Sequence, residues 1–267
     1  MASQVPVYSV SGSEKGKMNI AKPFSKRVRE DLIKRAVLAE RSGNRQPYGS
    51  DPLAGKRTSA HYHGMRHYKY SMMNKEMARM KRIHGSGFLS YTARFVPQAI
   101  KGRKAHPPKA EKVWKEKINK KEWLNALYSA IAASGKKETV ASRNHDVDSI
   151  KNVPLVVEDK LQELSKTSDL KKTLESLGVS GELKKASKKK ARAGRGKTRG
   201  RRARTRKGPL IIVSDDKGIK KSASNIAGVD AIELKNLSVE MLAPGTHPGR
   251  LCIWTRSAME ELNKSAK

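Results

Sequence analysis

Pro209-Leu210-Ile211-Ile212-Val213 opens the stretch that decides the fold, and Arg250-Leu251-Cys252-Ile253-Trp254-Thr255 closes it. Both are short, continuous apolar runs bounded by turn residues. A run of this kind has the pattern of a strand buried on both faces. Between them, residues 229–234 read as a further strand, residues 219–225 and 238–242 as short helices, and Pro244-Gly245 as a turn. Residues 257–263 read as a last helix, with Ser257 at its cap and Glu260 three residues on. Strands that alternate with helices imply a mostly parallel sheet covered by helices on both faces.

The same alternation extends toward the N-terminus. Val153-Pro154-Leu155-Val156-Val157 reads as a strand, and residues 161–177 carry helix-spaced leucines before Gly178 stops them. Residues 119–133 form an apolar-faced helix with Asn119 as its cap and Gly135 as its stop. Residues 25–42 repeat apolar positions at helical spacing, and residues 5–10 read as a strand ended by Ser11-Gly12-Ser13. About four or five strands are expected, with no internal repeat, so the reading is a single α/β domain over residues 1–267.

Two basic excursions interrupt this pattern. Residues 43–117 hold 17 Lys/Arg against 4 Asp/Glu, 8 of the chain's 13 aromatics and 5 of its 7 histidines. Five prolines and seven glycines argue against a continuous helix or a sheet there, and the one helix expected is short, over residues 70–83. So long an irregular segment in a compact domain is functional or disordered, and this one is too aromatic for a plain tether. The second excursion, residues 184–207, has 14 Lys/Arg in 24 residues and no acid, and it is expected to be unstructured without a partner.

Composition points to a polyanion. Lys+Arg number 58 against 25 Asp+Glu, a formal net charge of +33, and only 36% of residues are hydrophobic. That charge exceeds what solubility needs, and a phosphate-rich partner relieves its self-repulsion. Lys and Arg neutralise phosphates, and Tyr62, Tyr68, Tyr70, Phe88, Tyr91 and Phe95 interleaved among them suit stacking on unpaired bases. The first ten residues lack the pattern of a secretory leader, no apolar run approaches the roughly 18 residues a membrane span needs, and Cys252 is alone. No membrane association and no homo-oligomer are expected.

Other residues bear on nucleotide, metal and thiol chemistry. Gly196-Lys197-Thr198 lacks the first glycine of a P-loop, because position 191 is Ala, and Lys188-Lys189-Lys190 rather than a buried strand precedes it. His61, His63 and His67 lie close in sequence, but zinc asks for about four N or S ligands and no cysteine is near, so no metal is expected. Asp215-Asp216 follow a strand. They fit either the cap of the next helix, which is favoured, or a Mg²⁺ pair in a nucleic-acid-processing enzyme, the alternative function. A chromatin-like DNA compactor is a weaker third reading. Cys252, inside an apolar run, reads as a small core residue.

Several stretches resemble one family. Lys207-Gly208-Pro209-Leu210-Ile211-Ile212, Asn225-Ile226-Ala227-Gly228 and Leu242-Ala243-Pro244-Gly245-Thr246-His247-Pro248-Gly249-Arg250 are similar to the archaeal and eukaryotic form of large ribosomal subunit protein four. Arg94-Phe95-Val96-Pro97-Gln98-Ala99 and Lys101-Gly102-Arg103-Lys104-Ala105-His106-Pro107-Pro108-Lys109 resemble the returning limb of its long loop. Tyr48-Gly49-Ser50-Asp51 and Ala54-Gly55-Lys56-Arg57-Thr58 resemble the outgoing limb. The short C-terminus favours the archaeal type.

The resemblance implies a three-layer body and an extended loop threading large-subunit ribosomal RNA to the peptide exit tunnel, opposite a second tunnel-constriction protein. It implies no enzyme activity, no organic cofactor, Mg²⁺ only as an RNA counterion, and a place in the cytoplasmic ribosome. The RNA-binding residues it suggests in the long loop are Arg45, Lys56, Arg57, Lys81, Arg82, Arg94, Lys101, Arg103, Lys104, His106 and Lys109. In the second excursion they are Lys188, Lys189, Lys190, Arg192, Arg195, Lys197, Arg199, Arg201, Arg202, Arg204 and Arg206. Tyr62, His63, Gly64, Met65, Arg66 and His67 are expected to face the tunnel and the nascent polypeptide. They keep the character of the family's Gly-Arg-rich tip but not its pattern. Limb, tip and limb divide at about 43–60, 61–90 and 91–117, with the usual uncertainty of a few residues.

Overall fold

The structure, a computed structural model, describes residues 4–265. It divides into two units, one of Met1–Asn44 with Lys115–Lys267 and one of Arg45–Trp114.

The first unit is built on six strands. Strand β1 (Gln4–Tyr8) turns back into β2 (Glu14–Asn19), the one antiparallel pair in this sheet. The sequence reading missed β2 because Glu-Lys-Gly-Lys-Met-Asn has no apolar alternation. It is an edge strand, mostly exposed, and its charges discourage pairing with another chain. Pro23 and Phe24 are buried in a 3-10 turn, so α1 (Glu30–Gly43) starts later than the expected residue 25. Glu30 and Asp31 in its first turn complement the helix dipole, and Ile33, Ala36 and Val37 form its buried stripe.

Helix α2 (Lys120–Ser134) shares a core with α1 through Ala126 and Ala130, whose small side chains permit close approach. Asn119 stands at its N-terminus in extended conformation, but its side chain makes no capping hydrogen bond. The short α3 (Lys137–Ser142) follows, anchored by Val140, and then β3 (Leu155–Val157). The leucine-spaced segment divides into a 3-10 turn at Asp159–Glu163 and helix α4 (Thr167–Ser176), followed by α5 (Ser180–Ser187).

Here the expectation for the second excursion needs correction. Residues 184–187 are helical, because Leu183 and Ala186 bury against the body. Beyond them, β4 (Lys190–Ala191) and β5 (Ala203–Arg204) make a two-stranded antiparallel ladder, with the Arg192 N–H donating to the Arg202 carbonyl at 2.9 Å. Glycines in the left-handed region at 194 and 200 serve the turns between them.

Strand β6 (Leu210–Val213), α6 (Ile219–Ser224), β7 (Asp230–Glu233), α7 (Val239–Leu242), β8 (Cys252–Thr255) and α8 (Arg256–Ser265) complete the unit. Strand order is β2-β1-β3-β8-β6-β7, parallel from β1 onward. Along the central strands, successive residues feed opposite layers. Val156, Leu210, Ile212, Cys252 and Trp254 join one core with α1, α2, α7 and α8. Leu155, Val157, Ile211, Val213 and Ile253 join the other with α4, α5 and α6. This is the α/β, three-layer arrangement, with a small, mostly parallel sheet flanked by helices.

The helix expected over residues 70–83 does not form. Asn74 sits at φ 55°, in the left-handed region. The backbone of residues 81–83 pairs across the chain instead: Arg82 with His61 in both directions, the Ile83 N–H with the Thr92 carbonyl, and the Arg94 N–H with the Lys81 carbonyl. These partners replace the i to i−4 bonds a helix would need.

Candidate nucleic-acid interface

Within the unit of Arg45–Trp114, the outgoing and returning limbs lie side by side. The Ser50 N–H donates to the Pro108 carbonyl at 3.0 Å. Gly55 has φ +73°, and a Cβ there would lie 2.6 Å from the Arg103 backbone. Gly102 turns so tightly that a Cβ would stand 2.0 Å from the Val96 carbonyl oxygen. Gly55 permits the close approach of backbones that holds the limbs together, and Gly102 permits a tight turn within the returning limb.

At the base of this unit Trp114 is a cationic platform. Tyr48 stacks on it at 5.5 Å and 24°, the Arg45 guanidinium lies 4.6 Å from its centroid, and the Lys112 ammonium lies 4.3 Å from it. The indole quadrupole attracts both cations. An open cleft of about 780 Å³ adjoins it, lined by Tyr48, Lys104, His106, Pro107, Pro108, Lys109, Glu111, Lys112 and Trp114. Three lysines against one carboxylate, between flat apolar walls, suit a base and its phosphate.

The expected RNA-binding residues divide by what they touch. Arg45, Lys56, Lys101, Lys104, His106 and Lys109 are exposed, as are Lys188, Lys189, Lys190, Arg195, Lys197, Arg199, Arg201, Arg202, Arg204 and Arg206. Arg103 is half-buried. Others are engaged inside the protein. Arg57 pairs with Asp51, holding its carboxyl below the usual range. Arg82 donates to the Tyr91 and Ala78 carbonyls at 2.8 and 2.9 Å, and Arg94 to the Ile100 carbonyl at 2.7 Å. Lys81 lies 4.3 Å over the Phe95 ring, and Arg192 donates to the Arg201 carbonyl at 3.1 Å.

The aromatics divide likewise. Phe88 is 95% exposed, and Tyr62 and Tyr68 are exposed. Tyr70 stacks on His84 at 4.5 Å and 6°, while the Tyr91 hydroxyl accepts from Lys75 at 2.6 Å and donates to the Lys69 carbonyl. At the tip, Tyr62, Gly64, Met65, Arg66 and His67 are exposed and His63 is half-buried. The structure does not join His67 to His61 and His63. His84, distant in sequence, takes that place, with ring centroids 4.1 Å from His61 and 4.7 Å from His63. Burial, then the neighbouring His61 and His63, push the His84 imidazole below its ordinary value.

The remaining candidates resolve as framework. Asp216 accepts from the backbone N–H groups of Gly218 and Lys220 at 3.0 and 3.3 Å, so it serves the start of α6. Asp215 is exposed, and among the described residues no cluster of three or more metal-capable side chains includes either aspartate. Cys252 is fully buried, and burial pushes its thiol up to about 12. Gly196-Lys197-Thr198 lies in the turn between β4 and β5, not after a buried strand.

A profile of the Ribosomal protein L4/L1 family matches residues 19–265. The chain belongs to that family. It is 42% identical over 261 residues to the large ribosomal subunit protein uL4 of Methanosphaera stadtmanae, covering 97% of this chain and 96% of that one. To the uL4 proteins of Nanoarchaeum equitans and Methanococcus aeolicus it is 44% identical, over 98% of this chain and 98% and 99% of theirs. Its role is therefore structural, as a large-subunit ribosomal protein of the cytoplasmic ribosome and not an enzyme. The relatives are archaeal, as the resemblance suggested. No helix among the described residues is long and apolar enough to cross a membrane.

Proposed function

We propose that the chain, as one α/β body with two basic excursions, binds large-subunit ribosomal RNA and supports its assembly, and that residues 61–90 line the peptide exit tunnel. The observation that carries this reading is the set of exposed lysines and arginines on each excursion, together with the aromatic-walled cleft at Trp114 in the unit of Arg45–Trp114. Phosphates take the cations and unpaired bases take Tyr48, Trp114 and Phe88. The number of exposed cations in each excursion favours an extended polyanion such as a folded RNA over one phosphate site. Tyr62, Met65, Arg66 and His67 then face the nascent polypeptide, with a second tunnel protein across from them.

Filter binding of the full chain to large-subunit RNA tests the first part. Affinity should fall steeply with salt, by about 0.7 to 0.9 log units per log unit of salt for each phosphate neutralised. Replacing Arg199, Arg201 and Arg202 by Gln should lower that slope by about 2 to 3. Salt-insensitive binding, or equal preference for duplex DNA, overturns it. For the tunnel, Met65→Cys in assembled ribosomes should cross-link to a stalled nascent chain. Absence of that cross-link, with subunits otherwise intact, removes the tunnel assignment.

A further inference from the structure

The imidazoles of His61, His63 and His84 converge so that one ligand atom from each lies within 4.8 Å of the other two. Residues 61 and 84 are 23 apart in sequence, and the backbone brings them together. The bridge between His61 and Arg82, with both hydrogen bonds at 3.1–3.2 Å, sets His84 two residues beyond the pairing point. His63 is tied in by its carbonyl, which accepts from the Met72 N–H at 3.3 Å.

Two further observations point to a ligand. The Nδ1 of His61 lies 2.8 Å from the Ser59 carbonyl oxygen, which can only accept. Nδ1 therefore carries the proton and the Nε2 lone pair is free, the arrangement found behind metal-bound histidines. The Nε2 of His63 is buried without a hydrogen-bond partner, an uncommon state for a buried polar atom. Tyr70 lies flat on His84 and Tyr68 packs 4.3 Å from His63, so both rings are held in plane.

We propose that His61, His63 and His84 form a three-imidazole site for a divalent first-row transition ion, Zn²⁺ foremost. The site offers nitrogen donors only, which excludes Mg²⁺ and Ca²⁺ as its occupants. At Zn–N distances of about 2.0–2.1 Å the three nitrogens draw in to about 3.3 Å of one another, a contraction of about 1.5 Å at most from the 4.8 Å spacing. His61 is exposed, so the fourth position opens to water. The ion clasps the start of the tip, at residues 61 and 63, to its later part at residue 84. This assignment does not depend on RNA binding.

The test titrates Co²⁺ into the untagged, chelator-treated full chain and follows the visible absorption of tetrahedral Co²⁺, then its displacement by Zn²⁺. One equivalent is expected. His84→Gln and His63→Gln should each weaken binding at least tenfold, while His67→Gln and His106→Gln leave it unchanged. In parallel, elemental analysis of purified large subunits should show one zinc fewer per particle with His84→Gln than with His67→Gln. His84-dependent metal in the free chain or in the subunit supports the site. Its absence from both, or a loss in His67→Gln equal to that in His84→Gln, overturns it.

Discussion

Arg250 is completely buried, and no feature of its sequence position announced that. An arginine next to an apolar run reads as a strand's exposed end. Here its guanidinium donates to the Gly208 carbonyl at 2.8 Å, the Met241 carbonyl at 3.0 Å and Asp230 at 2.6 Å, joining β7, α7 and the entry to β6. Burial works to raise the Asp230 carboxyl, but Arg250 and Lys207 together bring it below its ordinary 3.8. Asp230→Asn leaves a buried cation unpaired, and a loss of about 3 kcal/mol is expected in denaturant unfolding. The sign with pH follows from the lowered value. The wild-type advantage is complete above about 3.8 and disappears as pH falls through the lower folded value. A difference between the two proteins that does not narrow at all as the pH falls below about 3.8 would contradict this. Cys252 gives a second expectation at this scale. Its sequence reading as a core residue holds, and with the thiol pushed up to about 12 it should react with a disulfide reagent at pH 7 only as fast as the protein unfolds. Rapid labelling of the native chain would refute that.

At the scale of elements, strands and long helices were legible where burial dominates. Residues 210–213 and 251–254 are apolar at every position because both faces of β6 and β8 are covered. The edge strand β2 was not legible, since it has little to bury, and α3 rests on one buried valine. The failed helix at 70–83 has another cause. Its methionines repeat at a spacing that suits a helix, but the backbone finds partners at His61, Thr92 and Arg94, which lie far away in the chain. Sequence periodicity carries no information on such pairing. The histidine cluster was half legible for the same reason: His61 and His63 are two residues apart, and the bridge between His61 and Arg82 brings in His84. The turn at Gly102 supplies the matching prediction. Gly102→Ala places a methyl in the Val96 carbonyl and should open the returning limb, visible as faster proteolysis near residues 96–103 with no change in the melting of the sheet. Unchanged cleavage would show that the turn relaxes without loss.

For the whole molecule, a small sheet with two buried cores coexists with a formal charge of +33 because the charge is carried mostly outside those cores. The Ser42 hydroxyl accepts from the Glu116 N–H at 2.9 Å, and Gly43 adjoins the Lys115 side chain. The chain thus leaves after α1 and returns before α2 through a clasp that belongs to the body. Excising residues 45–114 and joining the ends through a few glycines should leave cooperative unfolding of the sheet intact, since closing a short loop there adds little entropy. Loss of cooperative unfolding would show that the excursion is needed to fold the body. A segment whose two roots are fastened to each other is a graft site: its length can change without moving the places where it joins the stock.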